Sequence, residues 1–555
     1  MIVNRLLAAT TALALLATPV AAQQSEDQRP SLVVAVVVDQ LSANLFNQYR
    51  PHFRHGLRRL ADEGLVHING YQSHGNTVTC AGHATILTGT HPATNGIIAN
   101  DWIDTETGKE VYCLAAPENT LAHGGESDNG PVGPRAMHAT TLGDWLKARD
   151  PRSLSVAVSG KDRGAIALAG QNDDGAYWFV DSGLTTYVAP GQDAEARMAP
   201  VAAFNTELMQ AMAEASQAGE LGWTYQHEQC RVLAADWTIG DETFHSDLPP
   251  TEFEVDASPL YDEATLAAAE HLLEGLQLGR RGVTDVLGVS LSGTDRIGHG
   301  YGTQGPEMCE QMLRLDAALG VFLERLDDIP GGVALVLTAD HGGSDMVERM
   351  TAHGNPDARR GDAGLGARTN ATLREQFDLD FDPLRSSAGG IIVTDGEGIG
   401  LPEPLRGQIV DAAVQMLNAD PLVAMAVARD ELLSDPVPTE PDPELLTLRE
   451  KLRLSTVEGR SPDILRAYRP FLNGGARVGG TISSHGSPWD YDRRVPIIFW
   501  RAGGERQGQE RFWALRTVDI APTLAAVVGI EPEGEMDGRC VELGWSETPA
   551  CPSGD

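Results

Sequence analysis

The amino-acid sequence predicts an α/β fold with a central, mostly parallel sheet flanked by helices. Three apolar runs rich in β-branched residues, at 31–40, 283–292 and 333–338, each end at polar side chains. Near-continuous runs of this kind are typical of strands that are buried on both faces in a parallel sheet. A long amphipathic helix is predicted over 306–326, between the second and third runs. Strands that alternate with helices favour a parallel sheet with its chemistry at the carboxyl ends of the strands.

The remaining elements are less regular but follow the same alternation. Helices are predicted over 43–63, 204–216, 263–276, 408–417 and 518–528, and further strands over 153–159 and 389–395. We divide the chain into a signal peptide (1–22), a catalytic core (23–350 and 481–555) and an insertion or subdomain that flanks the site (351–480). The last region differs from the core in having an arginine- and glycine-rich stretch and an acidic, proline-rich loop.

The composition is that of a globular protein with room for a large core. The chain has 555 residues, of which 42% are hydrophobic and 22% charged. Its formal net charge of −36 argues against nucleic acid or an anionic membrane surface as a partner. An anionic substrate is repelled at long range by such a protein, so any phosphate site must be locally positive. Bound metal ions are the simplest means.

The first 22 residues have the features of a secretory signal peptide. Arg5 is followed by an apolar run over 6–16 and by small residues at 20–22, which predicts cleavage after Ala22. The apolar run is too short to anchor the protein, and no other stretch is long enough to span a bilayer. We therefore expect an exported protein with no stable membrane span after cleavage.

Six cysteines in an exported chain are expected to form disulfides. Proximity in the sequence favours Cys540–Cys551, while Cys80–Cys113 and Cys230–Cys309 would complete the set. Other pairings remain open at this point, because connectivity cannot be deduced from one sequence.

Six side chains that can bind metal ions fall at or just beyond predicted strand ends. They are Asp39, Asp295, His299, Asp340, His341 and His485. Each alone has an ordinary explanation, such as a helix cap or a surface histidine. Together, three carboxylates and three imidazoles match two tetrahedral zinc sites that each leave a position for substrate. We therefore predict two Zn²⁺ ions, although manganese or cobalt would suit the same ligands.

The stretch 76–90, NTVTCAGHATILTGT, predicts a nucleophile at the start of a helix. Thr79 immediately precedes the helical pattern, where free backbone N–H groups and the helix dipole favour an anion. An isolated threonine in this position is usually only an N-cap. The metal ligands elsewhere in the chain favour a nucleophile instead, because a dication stabilises the threonine alkoxide.

These residues together resemble the alkaline phosphatase superfamily, and more closely its periplasmic, phosphate-irrepressible bacterial members that use threonine. The resemblance covers about residues 31–530. In that family the nucleophile lies four residues before a histidine, which here gives Thr79 before His83, and the GIIAN stretch supplies Asn100 as a phosphoryl-oxygen contact. The resemblance implies an alkaline-phosphatase-like fold with insertions that cap the active site, a periplasmic location and a phosphothreonine intermediate.

The same resemblance divides the six ligands between two zinc ions. Asp39, Asp340 and His341, together with Thr79, would hold the zinc at the nucleophile. The zinc at the leaving group, which later activates water, would be held by Asp295, His299 and His485. The ligand pattern shows no departure from the family.

The GKDRGA stretch at 160–165 bears on whether the substrate is a monoester or a diester. Lys161 and Arg163 follow a predicted strand, and two loop cations are usually only solvated. A phosphate monoester carries one more charge than a diester, however, and two cations with Asn100 would stabilise it. In the resembling monoesterases this triplet has that role. We therefore expect small phosphate monoesters as substrates, and a monomeric enzyme.

Two other functions remain as alternatives. A nucleotide pyrophosphatase/phosphodiesterase of the same superfamily would share the zinc ligands. An exported zinc-binding protein without catalysis would explain the ligands but not Thr79, Asn100, Lys161 and Arg163 together. A sulfatase is disfavoured, because Cys80 is followed by AGHA and not by the C-x-P-S-R pattern of such enzymes.

Overall fold

The computed structural model describes residues 29–123, 129–218, 223–246, 256–387, 389–439, 442–474, 477–503, 508–545 and 551. The predicted signal peptide lies outside these residues. Within the part of the chain that is described, none of the helices is long and apolar enough to cross a membrane.

A mixed sheet of ten strands forms the centre of the molecule. In chain order its strands are β1 (Leu32–Val38), β2 (Leu65–Tyr71), β3 (Ser155–Ser159), β4 (Gly175–Val180), β5 (Gly183–Thr185), β6 (Asp285–Leu291), β7 (Val333–Thr338), β8 (Arg494–Arg501), β9 (Gln509–Arg511) and β10 (Leu515–Arg516). Their order across the sheet is β9-β2-β8-β7-β1-β6-β3-β4-β5, and β10 pairs with β2. The strands from β7 to β4 in this order are parallel, whereas β8 is antiparallel to both of its neighbours. The predicted α/β class is confirmed.

The three predicted apolar runs form the middle of this sheet, with β1 between β6 and β7. Every residue of β1 is buried, as expected for a strand covered on both faces. The register pairs Val38 with Leu291 and Val37 with Thr338. The three strands therefore end at the same level, and the residues that follow them meet at one edge of the sheet.

Helices cover both faces of the large sheet and accompany a second, smaller sheet. Those of eight or more residues are α1 (Gly56–Glu63), α2 (Thr79–Thr88), α3 (Leu142–Arg149), α4 (Asp162–Ala169), α5 (Ala202–Ala218), α6 (Pro259–Gly275), α7 (Gly293–Tyr301), α8 (Pro306–Asp327), α9 (Leu365–Phe377), α10 (Leu405–Ala419) and α11 (Ile520–Val528). Shorter helices are Ala43–Tyr49, Pro92–Asn95, Ala194–Met198, Glu228–Arg231, Val347–Ala352, Arg429–Ser434, Leu448–Arg453 and Asp490–Arg493. Turns of 3₁₀-helix lie at Arg50–His52, Pro134–Ala136, Ala199–Val201 and Thr517–Asp519.

The second sheet lies between β7 and β8 in the sequence, within the region 351–480. Its four antiparallel strands are, in spatial order, Leu384–Ser387, Gly390–Val393, Ile464–Tyr468 and Val423–Ala428. Helices α9 and α10 share an apolar core with it. Four two-stranded pairs complete the described strands: Asp101–Ile103 with Glu110–Tyr112, Thr120–Leu121 with Tyr187–Val188, Trp237–Ile239 with Glu242–Phe244, and Arg359–Arg360 with Leu472–Asn473.

One prediction about local structure was wrong. The single helix expected over 43–63 is broken around Pro51, because proline has no N–H to donate within a helix; Ala43–Tyr49 and α1 are separate elements. Residues of the GKDRGA stretch, which follows β3, begin α4, with Lys161 as its N-cap. The three favoured disulfides, Cys80–Cys113, Cys230–Cys309 and Cys540–Cys551, are confirmed.

A single buried carboxylate joins α1 to α8. Asp316 of α8 accepts hydrogen bonds from the backbone N–H groups of Arg54 and His55 on one oxygen and of Leu57 and Arg58 on the other, at 2.6–3.2 Å. These N–H groups belong to the start of α1, where no earlier helical carbonyl is available to accept them. Asp316 therefore caps α1 from a helix more than 250 residues later in the chain.

We expect Asp316→Ala to lower the free energy of unfolding by roughly 2–4 kcal/mol, because it leaves several buried N–H groups without acceptors. Denaturant unfolding of the purified protein measures the change. Glu324→Gln on an exposed turn of α8 is the matched control and should change the unfolding midpoint little. Equal effects of the two substitutions would mean that Asp316 has no special role.

Candidate active site

Helix α2 brings Thr79 to the carboxyl end of β7. Thr79 is the first residue of α2 and is buried, after Val78 in extended conformation. Gly82 allows a close approach, because a Cβ atom there would lie 2.1 Å from the backbone oxygen of Asp340. One turn after Thr79, the Nδ1 atom of His83 lies 2.9 Å from the Thr79 carbonyl oxygen and 3.2 Å from Asp340 Oδ2. The start of α2 is thus fixed beside the residues that follow β7.

Asp39, Asp340 and His341 form the first candidate metal-binding group. One ligand atom of each lies within 4.8 Å of the others, and His341 Nε2 is 3.4 Å from Asp39 Oδ1 and 3.3 Å from Asp340 Oδ2. These three atoms are buried and make no hydrogen bond with any described residue. Buried polar atoms are normally hydrogen-bonded. Their convergence, and the carboxylate and imidazole donors themselves, fit a bound zinc ion.

Asp295, His299 and His485 form the second group, with ligand atoms again within 4.8 Å of one another. The Nε2 atoms of the two histidines lie 3.3 and 3.4 Å from Asp295 Oδ1. Their Nδ1 atoms lie 2.8 and 2.9 Å from the carbonyl oxygens of Ser483 and Thr77. A carbonyl partner keeps the proton on Nδ1 and leaves Nε2 free to bind a metal ion. The donors of this group therefore also fit zinc.

The two groups are in direct contact. The rings of His341 and His485 stack with centroids 3.6 Å apart. Lys161 lies between the groups, with its Nζ atom 2.5 Å from a carboxylate oxygen of Asp39 and of Asp295. The six predicted ligands and Lys161 thus form one continuous site, at the edge of the sheet where β1, β6 and β7 end.

Gln40 also joins the two groups, and the sequence analysis missed it. Its backbone N–H donates to Asp340 and its side-chain amide donates to Asp295, at 3.1 and 3.0 Å. Gln40 has a φ of +66°, a strained conformation for a residue other than glycine. The sequence signal that could have identified Gln40 is its position directly after Asp39, at the end of a strand.

The electrostatic environment differs among the buried carboxylates. Burial, followed by the charges of Asp295 and Asp340, raises the pKa of Asp39. Burial also opposes ionisation of Asp295, but Lys161 and His299 outweigh it and hold the pKa of Asp295 well below its ordinary value. Likewise, His83 outweighs burial and lowers the pKa of Asp340.

The pKa values of His341 and His485 are shifted in opposite directions. Burial and then the charge of His485 lower the pKa of His341 well below its ordinary value, which favours the neutral imidazole that binds metals. For His485, burial is outweighed by Asp295, and its pKa is raised to about 9.

Asn100 is fixed against the start of α2. Its Oδ1 atom accepts a hydrogen bond from the backbone N–H of Cys80 at 2.9 Å, and its carbonyl oxygen accepts one from Cys113 at 2.8 Å. The disulfide between Cys80 and Cys113 closes the same connection covalently. Because the Asn100 Oδ1 atom faces the backbone N–H of Cys80, the N–H donors of the same amide group lie on the side away from Cys80.

Arg163 lies in the first turn of α4, beside Tyr112 and Asp162. The Tyr112 hydroxyl donates to Asp162 at 2.7 Å, and the Arg163 side chain is 18% exposed. Its Nε atom is buried and has no hydrogen-bond partner among the described residues. The Arg163 guanidinium interacts with Tyr112, the neighbour of Cys113, and with the charge of Asp39 in the first metal-binding group.

Comparisons with known proteins agree with this geometry. The profile of the family described as type I phosphodiesterase / nucleotide pyrophosphatase matches residues 33–362. Alkaline phosphatase PhoK of a Sphingomonas species is 38% identical over 529 residues, covering 94% of this chain and 92% of the relative. Alkaline phosphatase PhoD of Zymomonas mobilis is 36% identical over 537 residues, covering 94% of this chain and 89% of the relative.

The crystal structure of alkaline phosphatase PafA has a similar fold, with a TM-score of 0.77 and 26% sequence identity. The match covers 91% of this chain and 96% of that structure. The chain therefore belongs to the type I phosphodiesterase / nucleotide pyrophosphatase family, within the alkaline phosphatase superfamily.

Proposed function

We propose that this protein is an exported, zinc-dependent alkaline phosphatase. It hydrolyses small phosphate monoesters through a phosphothreonine and releases inorganic phosphate. The observation that supports this most strongly is the convergence of two groups of ligand atoms at the N-terminus of α2, beside Thr79. The names of the relatives support phosphatase activity, and the pattern of the first 22 residues supports export to the periplasm.

The residues of the site have distinct proposed roles. Asp39, Asp340 and His341, with Thr79, would hold one zinc ion, and Asp295, His299 and His485 the other. Zinc ions held there would stabilise the threonine alkoxide and the leaving oxygen as Lewis acids. The N–H groups at the start of α2 and the Asn100 amide would donate to the transferring phosphoryl group.

The reaction proceeds in two displacements on phosphorus. The Thr79 hydroxyl oxygen attacks the phosphorus atom, and a bond from Oγ1 to phosphorus forms as the bond from phosphorus to the alcohol oxygen breaks. The alcohol leaves with a proton. Water then attacks the phosphothreonine, which releases inorganic phosphate and restores the Thr79 hydroxyl.

The nearest alternative is a phosphodiesterase, because the family description fits a phosphodiesterase as well as a phosphatase. Lys161 and Arg163 favour the monoester, because a diester lacks the additional charge that two cations stabilise. The ammonium group of Lys161 pairs with carboxylates of both metal-binding groups. Metal ions held by those carboxylates would compete for them, and Lys161 would then be available to a phosphoryl oxygen. Zinc binding without catalysis is a weaker proposal, since it gives no role to Thr79 at a helix start.

The division of the chain is also part of this proposal. We infer that residues 351–480 form a subdomain beside the catalytic core, because its second sheet has its own apolar cluster. The core then comprises 23–350 and 481–555, and the expected monomer needs no partner chain to complete the site.

Thr79 is expected to carry the phosphoryl group. After rapid acid quenching during turnover, peptide mapping should find phosphate on Thr79, and Thr79→Ala should lose monoester turnover while keeping its bound metal. Thr79→Ser, which retains a hydroxyl, should recover part of the activity. Phosphate on Thr77 or Thr85, or full activity of Thr79→Ala, would contradict the proposal.

Removal of single ligands is expected to lower both metal content and rate. Asp340→Ala or His299→Ala should reduce the zinc measured per chain below two. The loss of a dication that opposes developing charge should cost several kcal/mol of transition-state stabilisation. His52→Ala, which changes an exposed histidine, serves as the control. Unchanged turnover after chelation would rule out the metal-dependent mechanism.

The double change Lys161→Ala/Arg163→Ala should separate monoesters from diesters. Each charge-assisted hydrogen bond contributes roughly 1.5–3 kcal/mol, so kcat/KM for a monoester should fall by about two to four decades if the effects add. Diester turnover should stay within about tenfold. Paired kinetics with an aryl phosphate and its methyl diester measure this.

The control for this pair removes the same net charge at the surface, as Arg149→Ala/Arg280→Ala. It should change neither substrate appreciably. Equal losses on both substrates in the Lys161/Arg163 variant would favour the phosphodiesterase alternative.

A further inference from the structure

Arg466 is a partly buried cation, and no anionic partner lies beside it in the described part of the chain. It lies in the strand Ile464–Tyr468 of the second sheet, with its guanidinium carbon 4.3 Å from the centre of the Tyr468 ring. Among the described residues, no hydrogen bond or ion pair involves its side chain. The sequence has 78 acidic residues against 42 lysines and arginines, so the lack of a carboxylate beside Arg466 is notable. A guanidinium that is removed from water without an acceptor costs free energy.

Arg466 lines a cavity of about 30 Å³ between the region 351–480 and the core. On the core side this cavity is lined by Asn76 and Gly486. Asn76 precedes Thr79 by three residues, so their Cα atoms are at most about 11 Å apart. Gly486 directly follows the candidate ligand His485. The cavity therefore adjoins the segment that leads into the nucleophile and the residue that follows the candidate ligand His485.

Specific contacts fix the second sheet to the core at this cavity. Ser455 Oγ accepts hydrogen bonds from the backbone N–H groups of Gly75 and Asn76, at 3.0 and 3.1 Å. Gly389 faces the Asn76 side chain so closely that a Cβ atom would lie 3.3 Å from it. The backbone N–H of Arg466 donates to the carbonyl of Gly389 at 3.3 Å. These contacts hold Arg466 at a defined position relative to Asn76.

We propose that Arg466 binds a second oxyanion on the leaving group, so that the enzyme favours phosphate monoesters whose alcohol carries a further phosphate or carboxylate. This inference rests on the proposed function. A cavity of this volume holds on the order of two water-sized atoms, so it can receive terminal oxygens of one anionic group. The planar guanidinium presents paired donors to such an oxyanion, and stacking on Tyr468 fixes its plane.

The test compares substrates that differ only in the charge of the leaving group. Wild-type enzyme and Arg466→Met are assayed with butyl phosphate, 4-carboxybutyl phosphate and butane-1,4-diol bisphosphate. Arg466→Met should lower kcat/KM for an anionic leaving group by roughly ten- to hundredfold. In the same variant, kcat/KM for butyl phosphate should change by no more than about twofold. A loss with the bisphosphate alone identifies phosphate as the oxyanion, and a loss with the carboxylate alone identifies carboxylate.

The matched control is Arg469→Met, which removes an exposed arginine close to the same strand. Arg469→Met should leave kcat/KM unchanged for all three substrates, because it removes a surface charge but does not alter the cavity. Arg466→Lys keeps the charge without the planar fork and should give an intermediate loss. It also provides the test if Arg466→Met fails to fold.

Two results would overturn the inference while leaving the phosphatase intact. One is an equal change for butyl phosphate and the anionic esters, and the other is the same selective loss in Arg469→Met. If wild-type enzyme hydrolyses none of the three esters, the proposed function itself fails, and this inference fails with it.

Discussion

Buried negative charge at one edge of the central sheet is the constraint on which the site depends. Asp39, Asp295 and Asp340 are all within a few per cent of complete burial, and each would repel the others if ionised in a medium of low dielectric. Neighbouring groups offset this negative charge locally. Lys161 contacts Asp39 and Asp295. Gln40 donates hydrogen bonds to Asp295 and Asp340. Divalent cations bound by these carboxylates would complete the compensation and at the same time supply the proposed chemistry.

The scaffold makes this concentration of charge possible through register and close packing. Because β1, β6 and β7 end together, residues nearly 300 positions apart in the sequence become neighbours without any long side chain. The absence of a side chain at Gly82 then lets α2 contact the backbone at Asp340. Position in the sheet therefore determines where the ligands lie, and the hydrogen bonds to Thr77 and Ser483 determine how the histidines are oriented.

The sequence predicted the central strands, and it predicted the candidate ligands that the structure brings together, because both depend on local pattern. Apolar runs that stop abruptly at Asp39 and Asp340 mark strand ends wherever they occur. The break at Pro51 was also readable locally and was overlooked. The capping of α1 by Asp316, and the restraint of Arg163 by Tyr112, were not readable, because such contacts join distant segments and leave no periodic signal.

The local cations matter more for substrate binding than the charge of the whole protein. At physiological ionic strength, exposed charges are screened beyond about 8 Å, so the surface that gives the net charge of −36 mainly slows the approach of an anion. Lys161, Arg163 and Arg466 are at least partly removed from solvent, where charge interactions are screened less and discriminate between ligands. With the roles proposed for these three residues, selectivity for charge would arise in the interior, from residues of both the core and the second sheet.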